Sequence, residues 1–159
     1  MRRRISVRTE IRQTRLFRSA AEEAAVGLIL TADHLVRCLA VVIEPSGITH
    51  QQYNVLRILR GSHPQPLPTL EIAERMIEQT PGITRLLDRL ETKQLVARER
   101  GSDDRRCVYC RISERGLALV GALDEPVRAV GRAAFATLSR AAQRELIARL
   151  DEIRAALRE

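Results

Sequence analysis

At 159 residues the chain is long enough for one domain with a real core and too short for two comfortable ones. Its hydrophobic content of 45% fits a folded protein, while 3% aromatic residues leave too few rings for the stacking surface that single-strand binders need. The net charge of +7 is unevenly placed: Arg2, Arg3, Arg4, Arg8, Arg12, Arg15 and Arg18 face only Glu10 within residues 1–18, so the rest of the chain is nearly neutral.

That leader, residues 1–21, reads as a basic arm, either solvated and partly disordered or touching DNA phosphate or a second subunit. No apolar signal core follows it, and no apolar run approaches the roughly 20 residues needed to cross a bilayer. The expectation is therefore a cytoplasmic chain with no membrane partner. Over 26–43, Leu28, Ala32, Leu35, Val36, Leu39, Val42 and Ile43 recur at helical spacing, until Pro45, Ser46 and Gly47 stop the helix. Thr49 with Gln52 three residues later spells a capping box, behind which Gln52, Val55, Leu56 and Leu59 mark the inward face of a second helix. Residues 61–68, with Pro64, Pro66 and Pro68, read as a loop. Thr69 is then expected to cap a short helix that turns Ile72, Ala73 and Met76 inward.

The following helix, predicted over 80–92, is the informative one. Thr80 suits the N-cap and Pro81 the first helical position, where its missing amide is no loss. Ile83, Leu86, Leu87 and Leu90 form a buried stripe, which leaves Gly82, Thr84, Arg85, Asp88 and Arg89 on the opposite face. Two helices joined by a turn, the second showing short polar residues and arginines at its amino end, form a helix-turn-helix arrangement. The short residues let the backbone approach the major groove, and threonine and arginine offer donors and acceptors to base edges and phosphates. Two strands follow, over 95–99 and 106–112, around a tip that carries Arg100, Asp104, Arg105 and Arg106. A hairpin in that place is a wing, and arginine suits a narrow minor groove. Asp103 or Asp104 is expected to orient a wing arginine through a charge-assisted hydrogen bond.

Cys107 and Cys110 stand in a C-x-x-C spacing, yet on a strand side chains three apart point to opposite faces, so both read as structural. Cys110 with Val108 and Ile112 would face the core, and Cys107 with Tyr109 and Arg111 would face out. Cys38, in the apolar stripe of the first long helix, reads as core rather than as an oxidant sensor. His34, His50 and His63 are scattered, and no phosphate loop, nucleophile elbow or zinc helix motif occurs. No enzyme, cofactor or metal is expected.

From Ile48 to Gly116 these residues resemble the MarR family of bacterial regulators. The match runs through Ile48, Thr49 and Gln52, through Leu56, Arg57, Ile58 and Leu59, and through Glu71, Ile72 and Ala73. It continues along the unbroken stretch 83–91, then Leu95, Val96 and Arg98, and closes with Asp104, Arg105, Arg106, Ile112, Ser113 and Gly116. The resemblance implies an obligate homodimer, a recognition helix at 80–92, a wing at the adjacent minor groove, and a small-molecule or redox signal that respaces the two DNA-binding lobes. It also implies an effector pocket between dimer helices and DNA lobe, where Tyr53 and Phe135 are the candidate rings. The family has glycine where this chain has Gln94, so that residue either takes the left-handed conformation or ends the helix differently.

In the carboxy-terminal third, Val120, Leu123, Val127, Val130 and Ala134 keep a three-four spacing, as do Leu146, Leu150, Ile153 and Leu157. Pro126 is expected to bend or interrupt the first of these helices and Ser139 to cap the second. So small a lobe offers such stripes little to bury against, which points to a subunit interface. The expected architecture is mainly α with a small β-hairpin wing: a winged helix-turn-helix lobe over 48–113 and a helical dimerisation region over 22–47 and 114–159. The expected function is sequence-specific binding of double-stranded DNA at a near-palindromic operator by a repressor that a small molecule or redox signal releases. The alternative is a winged-helix module for protein-protein assembly.

Overall fold

The computed structural model describes residues 6–78, 82–101 and 107–158. Its elements in chain order are α1 (Val7–Glu10), α2 (Ala20–Ile43), a 3-10 turn (Glu44–Ser46), α3 (His50–Ser62), β1 (Leu67–Pro68), α4 (Thr69–Arg75), α5 (Ile83–Thr92), β2 (Val96–Arg100), β3 (Val108–Ile112), α6 (Glu114–Ala134) and α7 (Arg140–Ala156). Mainly helical, with a small antiparallel sheet ordered β1-β3-β2, this is the architecture read from the sequence.

Local chemistry sets most boundaries. The Ser19 hydroxyl accepts from the Glu22 amide and starts α2 at Ala20, upstream of the expected 26. Gly47, at φ 77°, turns the chain after the 3-10 segment. The capping box forms as expected: Thr49 Oγ1 accepts from the Gln52 amide at 3.3 Å, and Gln52 Oε1 accepts from the Thr49 amide at 3.0 Å. Ser113 and Ser139 cap α6 and α7 in the same manner. Pro126 does not interrupt α6, which continues to Ala134.

Several expectations are corrected. Residues 67–68 are not loop: Leu67 pairs with Cys110 and Pro68 with Tyr109, adding an edge strand where a proline's missing donor is tolerated. Thr69 is not a cap, because Pro68 holds that position, and its hydroxyl instead donates to the Val108 carbonyl at 3.0 Å. Cys38 is exposed in this chain, not core. On β3, Cys110 and Ile112 are buried as expected, while Val108 and Tyr109, with Cys107 just before the strand, are half-buried. By length and composition alone, the helical stretch 20–46 could cross a membrane, contrary to the expectation that no segment approaches that length. Almost none of it is buried within the chain.

The core lies inside the sheet-bearing lobe. Val55, Leu56 and Leu59 of α3, Ile72 of α4, Leu87 and Leu90 of α5, Cys110 of β3 and Val120 of α6 are all fully buried. Gly116, in the first turn of α6, sits against Leu95 and Ile112: a Cβ there would stand 2.7 Å from Ile112 Cγ1 and closer still to the Leu95 carbonyl oxygen. Outside this lobe the helices are bare. Ile43 is the one residue of α2 that is buried, and α7 has none. Within the arm, Val7–Glu10 forms a short helix that packs on α2, with Glu10 3.4 Å from His34.

Candidate nucleic-acid interface

The helix pair α4 and α5 is held from behind by α3. Asn54 Oδ1 accepts from the Ile77 amide at 3.1 Å, and Gln51 Nε2 donates to Glu78 at 2.8 Å, so the residues just after α4 are strapped to α3. The start of α5 differs from expectation. The helix opens at Ile83 with Gly82 as its N-cap, at φ 108°, and not with Thr80 as cap and Pro81 in the first turn. A left-handed residue ends any helical path arriving from upstream, and glycine takes that conformation without a steric penalty. Thr80 and Pro81 themselves lie outside the described residues.

Leu87 and Leu90 root α5 in the core, with Ile83 and Leu86 half-buried beside them. Gly82, Thr84, Arg85, Asp88 and Arg89 are all exposed, as the periodicity predicted. The helix therefore presents one polar, arginine-bearing face with an anchored back. At its far end Gln94 adopts φ 58°. Its amide donates to the Glu91 carbonyl at 2.7 Å and the Leu95 amide to the Leu90 carbonyl at 3.0 Å, which together make a Schellman motif built without glycine.

The wing follows directly. Strands β2 and β3 pair antiparallel from Val96 opposite Ile112 to Arg100 opposite Val108, and the Gly101 amide donates to the Cys107 carbonyl at 2.9 Å. Arg100 is exposed at the strand end; Asp103, Asp104, Arg105 and Arg106 lie outside the described residues. Across the hairpin Arg111 Nη2 donates to Glu99 Oε2 at 2.7 Å.

Two ion-pair systems escaped the sequence reading. Arg98, on β2, reaches α5: its Nη2 lies 2.6 Å from both Asp88 Oδ1 and Glu91 Oε2, and its Nε donates to the same Glu91 oxygen at 2.9 Å. The Arg98 backbone amide meets Glu91 Oε1 at 3.3 Å. The hydrogen bond to Glu91 raises the guanidinium pKa above its ordinary value, against the opposing effect of burial. The clue lay in Asp88 and Glu91, carboxylates three apart on one helix face, followed by an arginine on the next strand. The second system joins α3 to α6, with Arg60 Nη1 and Nη2 donating to the two oxygens of Asp124 at 2.9 and 3.0 Å.

Of the pocket candidates, Tyr53 is 5% exposed in α3 and its hydroxyl has no hydrogen-bond partner among the described residues, whereas Phe135, 37% exposed, ends α6. Burial pushes the Cys110 thiol up to about 12, so it stays protonated and inert at neutral pH. Among the described residues no group of three or more His, Cys, Asp or Glu is placed to hold a metal.

Residues 48–108 match the model of the MarR family. The chain is 29% identical over 102 residues to the HTH-type transcriptional regulator FarR of Neisseria gonorrhoeae, covering 64% of this chain and 68% of that one. Other curated relatives are matched over only about half of their length. A crystal structure of a MarR transcription factor from Planctomyces limnophilus is 38% identical, with a TM-score of 0.67 over 87% of this chain and 99% of that one. The Streptomyces coelicolor regulator Sco3205, solved in complex with DNA, shares the fold at 20% identity, with a TM-score of 0.78 over 92% of this chain and 94% of that one.

Proposed function

The chain belongs to the MarR family of transcription regulators and is not an enzyme, and from that premise we propose that it is a cytoplasmic homodimeric repressor of a near-palindromic operator. The observation that carries the reading is α5 itself, whose buried Leu87 and Leu90 hold Gly82, Thr84, Arg85 and Arg89 outward beside a paired hairpin. In this reading Thr80, Pro81, Gly82, Thr84, Arg85 and Arg89 enter the major groove, and Arg100, Asp104, Arg105 and Arg106 serve the wing at the neighbouring minor groove. The Sco3205 structure, which contains DNA, supports a nucleic-acid partner for this architecture.

The lobe over 48–113 reads DNA, and the regions 22–47 and 114–159 dimerise. Ile29 and Val41 of α2 are 71% and 73% exposed, and Ile147, Ile153 and Leu157 of the last helical region are exposed too. A second copy of the chain accounts for so much bare apolar helix. The same covering accounts for α2 meeting the length and apolarity of a membrane span without one being needed. Release by a small molecule places the effector near Tyr53 and Phe135. Release by oxidation falls to Cys38, the exposed thiol, and not to the buried Cys110.

Footprinting the DNA that flanks the coding sequence tests this reading. A protected inverted repeat with half-sites about one helical turn apart is expected, with affinity that falls steeply as salt is added. A dimer that protects no duplex at low salt overturns it in favour of the protein-assembly alternative.

A further inference from the structure

Arg98 stands on the wing strand, beside the groove-facing helix, where an arginine would ordinarily be assigned to phosphate. Its surroundings assign it otherwise. The side chain is 22% exposed, and its Nε and Nη2 are committed to Asp88 and Glu91 of α5 at 2.6 to 2.9 Å. Glu91 also accepts from the Arg98 backbone amide, so one carboxylate grips both the side chain and the strand that carries it. Arg98 pairs in register with Cys110, which is fully buried, so the strand cannot slide under the clamp without disturbing the core.

Resting on the DNA-binding reading above, we propose that Arg98 is a positioning residue that fixes the angle between recognition helix and wing through Asp88 and Glu91, and so sets sequence discrimination without touching DNA. A helix and a hairpin that must enter adjacent grooves together gain from a fixed mutual angle only on the sequence whose groove spacing matches it. Non-specific binding, which rests on phosphate charge, does not need that angle.

The test uses the full-length dimer, the footprinted operator and a scrambled duplex of equal length, each titrated across a range of salt. For Arg98→Ala the operator affinity is expected to fall about tenfold, with the scrambled duplex changed by less than about twofold and an unaltered salt slope. Arg98→Lys keeps the charge but cannot bridge two carboxylates with a planar fork, so an intermediate loss is expected. Asp88→Asn supplies the opposed signs. Removing a negative charge near DNA should tighten binding to every duplex if electrostatics alone acts, whereas the clamp requires weaker operator binding.

Thermal melts identify any variant that fails to fold, and Asp88→Asn keeps the test alive if Arg98→Ala does. Equal loss on both duplexes with a slope reduced by about one would make Arg98 a phosphate contact and overturn the proposal. Tighter operator binding by Asp88→Asn, or no change in any variant, would also overturn it. A wild-type dimer indifferent to sequence would instead sink the DNA reading on which the clamp depends.

Discussion

Arg60 grips Asp124 through two parallel hydrogen bonds, joining α3, which packs behind α5, to the long helix α6. The bond from Arg60, with Arg60, Arg128 and Arg57 adding charge, lowers the Asp124 pKa below the usual carboxylate value. Depression of a folded-state pKa gives stability that is present above the unfolded value, about 3.9, and is lost as pH falls through the folded one. Asp124→Asn should therefore cost about 1 kcal/mol at neutral pH, a modest figure because water reaches both side chains. Urea melts at successive pH values check the sign: the gap to wild type should persist down to about pH 5 and shrink as pH falls below the unfolded value of about 3.9. A gap that widens in acid would contradict the assignment.

Gly116 and Gly121 lie on the same helix and should respond oppositely to alanine. At Gly116 a methyl meets the Leu95 carbonyl oxygen in the α5–β2 corner and Ile112 Cγ1 at the end of β3, and the Ser113 amide bond to Leu95 leaves that corner little room to yield. A loss of about 2 to 3 kcal/mol is expected for Gly116→Ala. Nothing stands within 4 Å of a Cβ at Gly121, so Gly121→Ala should stabilise by about 0.5 to 1 kcal/mol. Equilibrium unfolding of the two variants, side by side, decides the matter.

Much of this lobe was legible in the sequence, for physical reasons. The stripe Ile83, Leu86, Leu87 and Leu90 specified which face of α5 is buried, and Thr49 with Gln52 specified where α3 begins. What escaped depended on partners far along the chain. Leu67 and Pro68 became a strand only because β3 offers them an edge, and Thr69 lost its capping role to a carbonyl at Val108. Arg98 had no assigned role in the sequence, because its partners Asp88 and Glu91 come to it only in the fold. At the start of α5, Gly82 in the left-handed region overrode the Thr-Pro start signal. Capping propensities are local, and a left-handed glycine next to the helix start outranks them.

If Arg85 reads a base edge, Arg85→Ala should weaken operator binding by about 1 to 3 kcal/mol and relax the preference at one position of each half-site. Arg89, one turn further along the same exposed face, is the comparison. A phosphate contact there would weaken all duplexes alike and lower the salt slope by about one. Binding measured on the operator and on single-base variants separates the two roles, and an Arg85→Ala footprint identical to wild type would remove that residue from the site.

The proposed dimerisation through α2 and the last helices makes a prediction about Ile29 and Val41. Both are largely bare in one chain, and a charge placed on a face that a second copy covers must be desolvated without a partner. Ile29→Arg with Val41→Arg should convert the dimer to a monomer by sedimentation, with the far-ultraviolet helical signal of the DNA lobe retained. A double variant that remains dimeric would place the interface elsewhere.

Gln94 offers a gain in stability that the fold leaves open. The residue holds φ 58° to close the Schellman turn after α5, a conformation in which a side chain crowds the following carbonyl. Its backbone carbonyl also accepts from the Ser113 hydroxyl at 2.7 Å, an interaction that glycine would keep, while the side-chain oxygen accepts only a long 3.3 Å bond from Arg115 on an exposed surface. Relief of the left-handed strain should outweigh that bond and the extra freedom glycine gives the unfolded chain. Gln94→Gly is thus expected to stabilise the protein by about 0.5 to 1 kcal/mol, read as a higher midpoint in denaturant at an unchanged slope. Destabilisation instead would mean that the Arg115 contact, and not the backbone, holds the corner between recognition helix and wing.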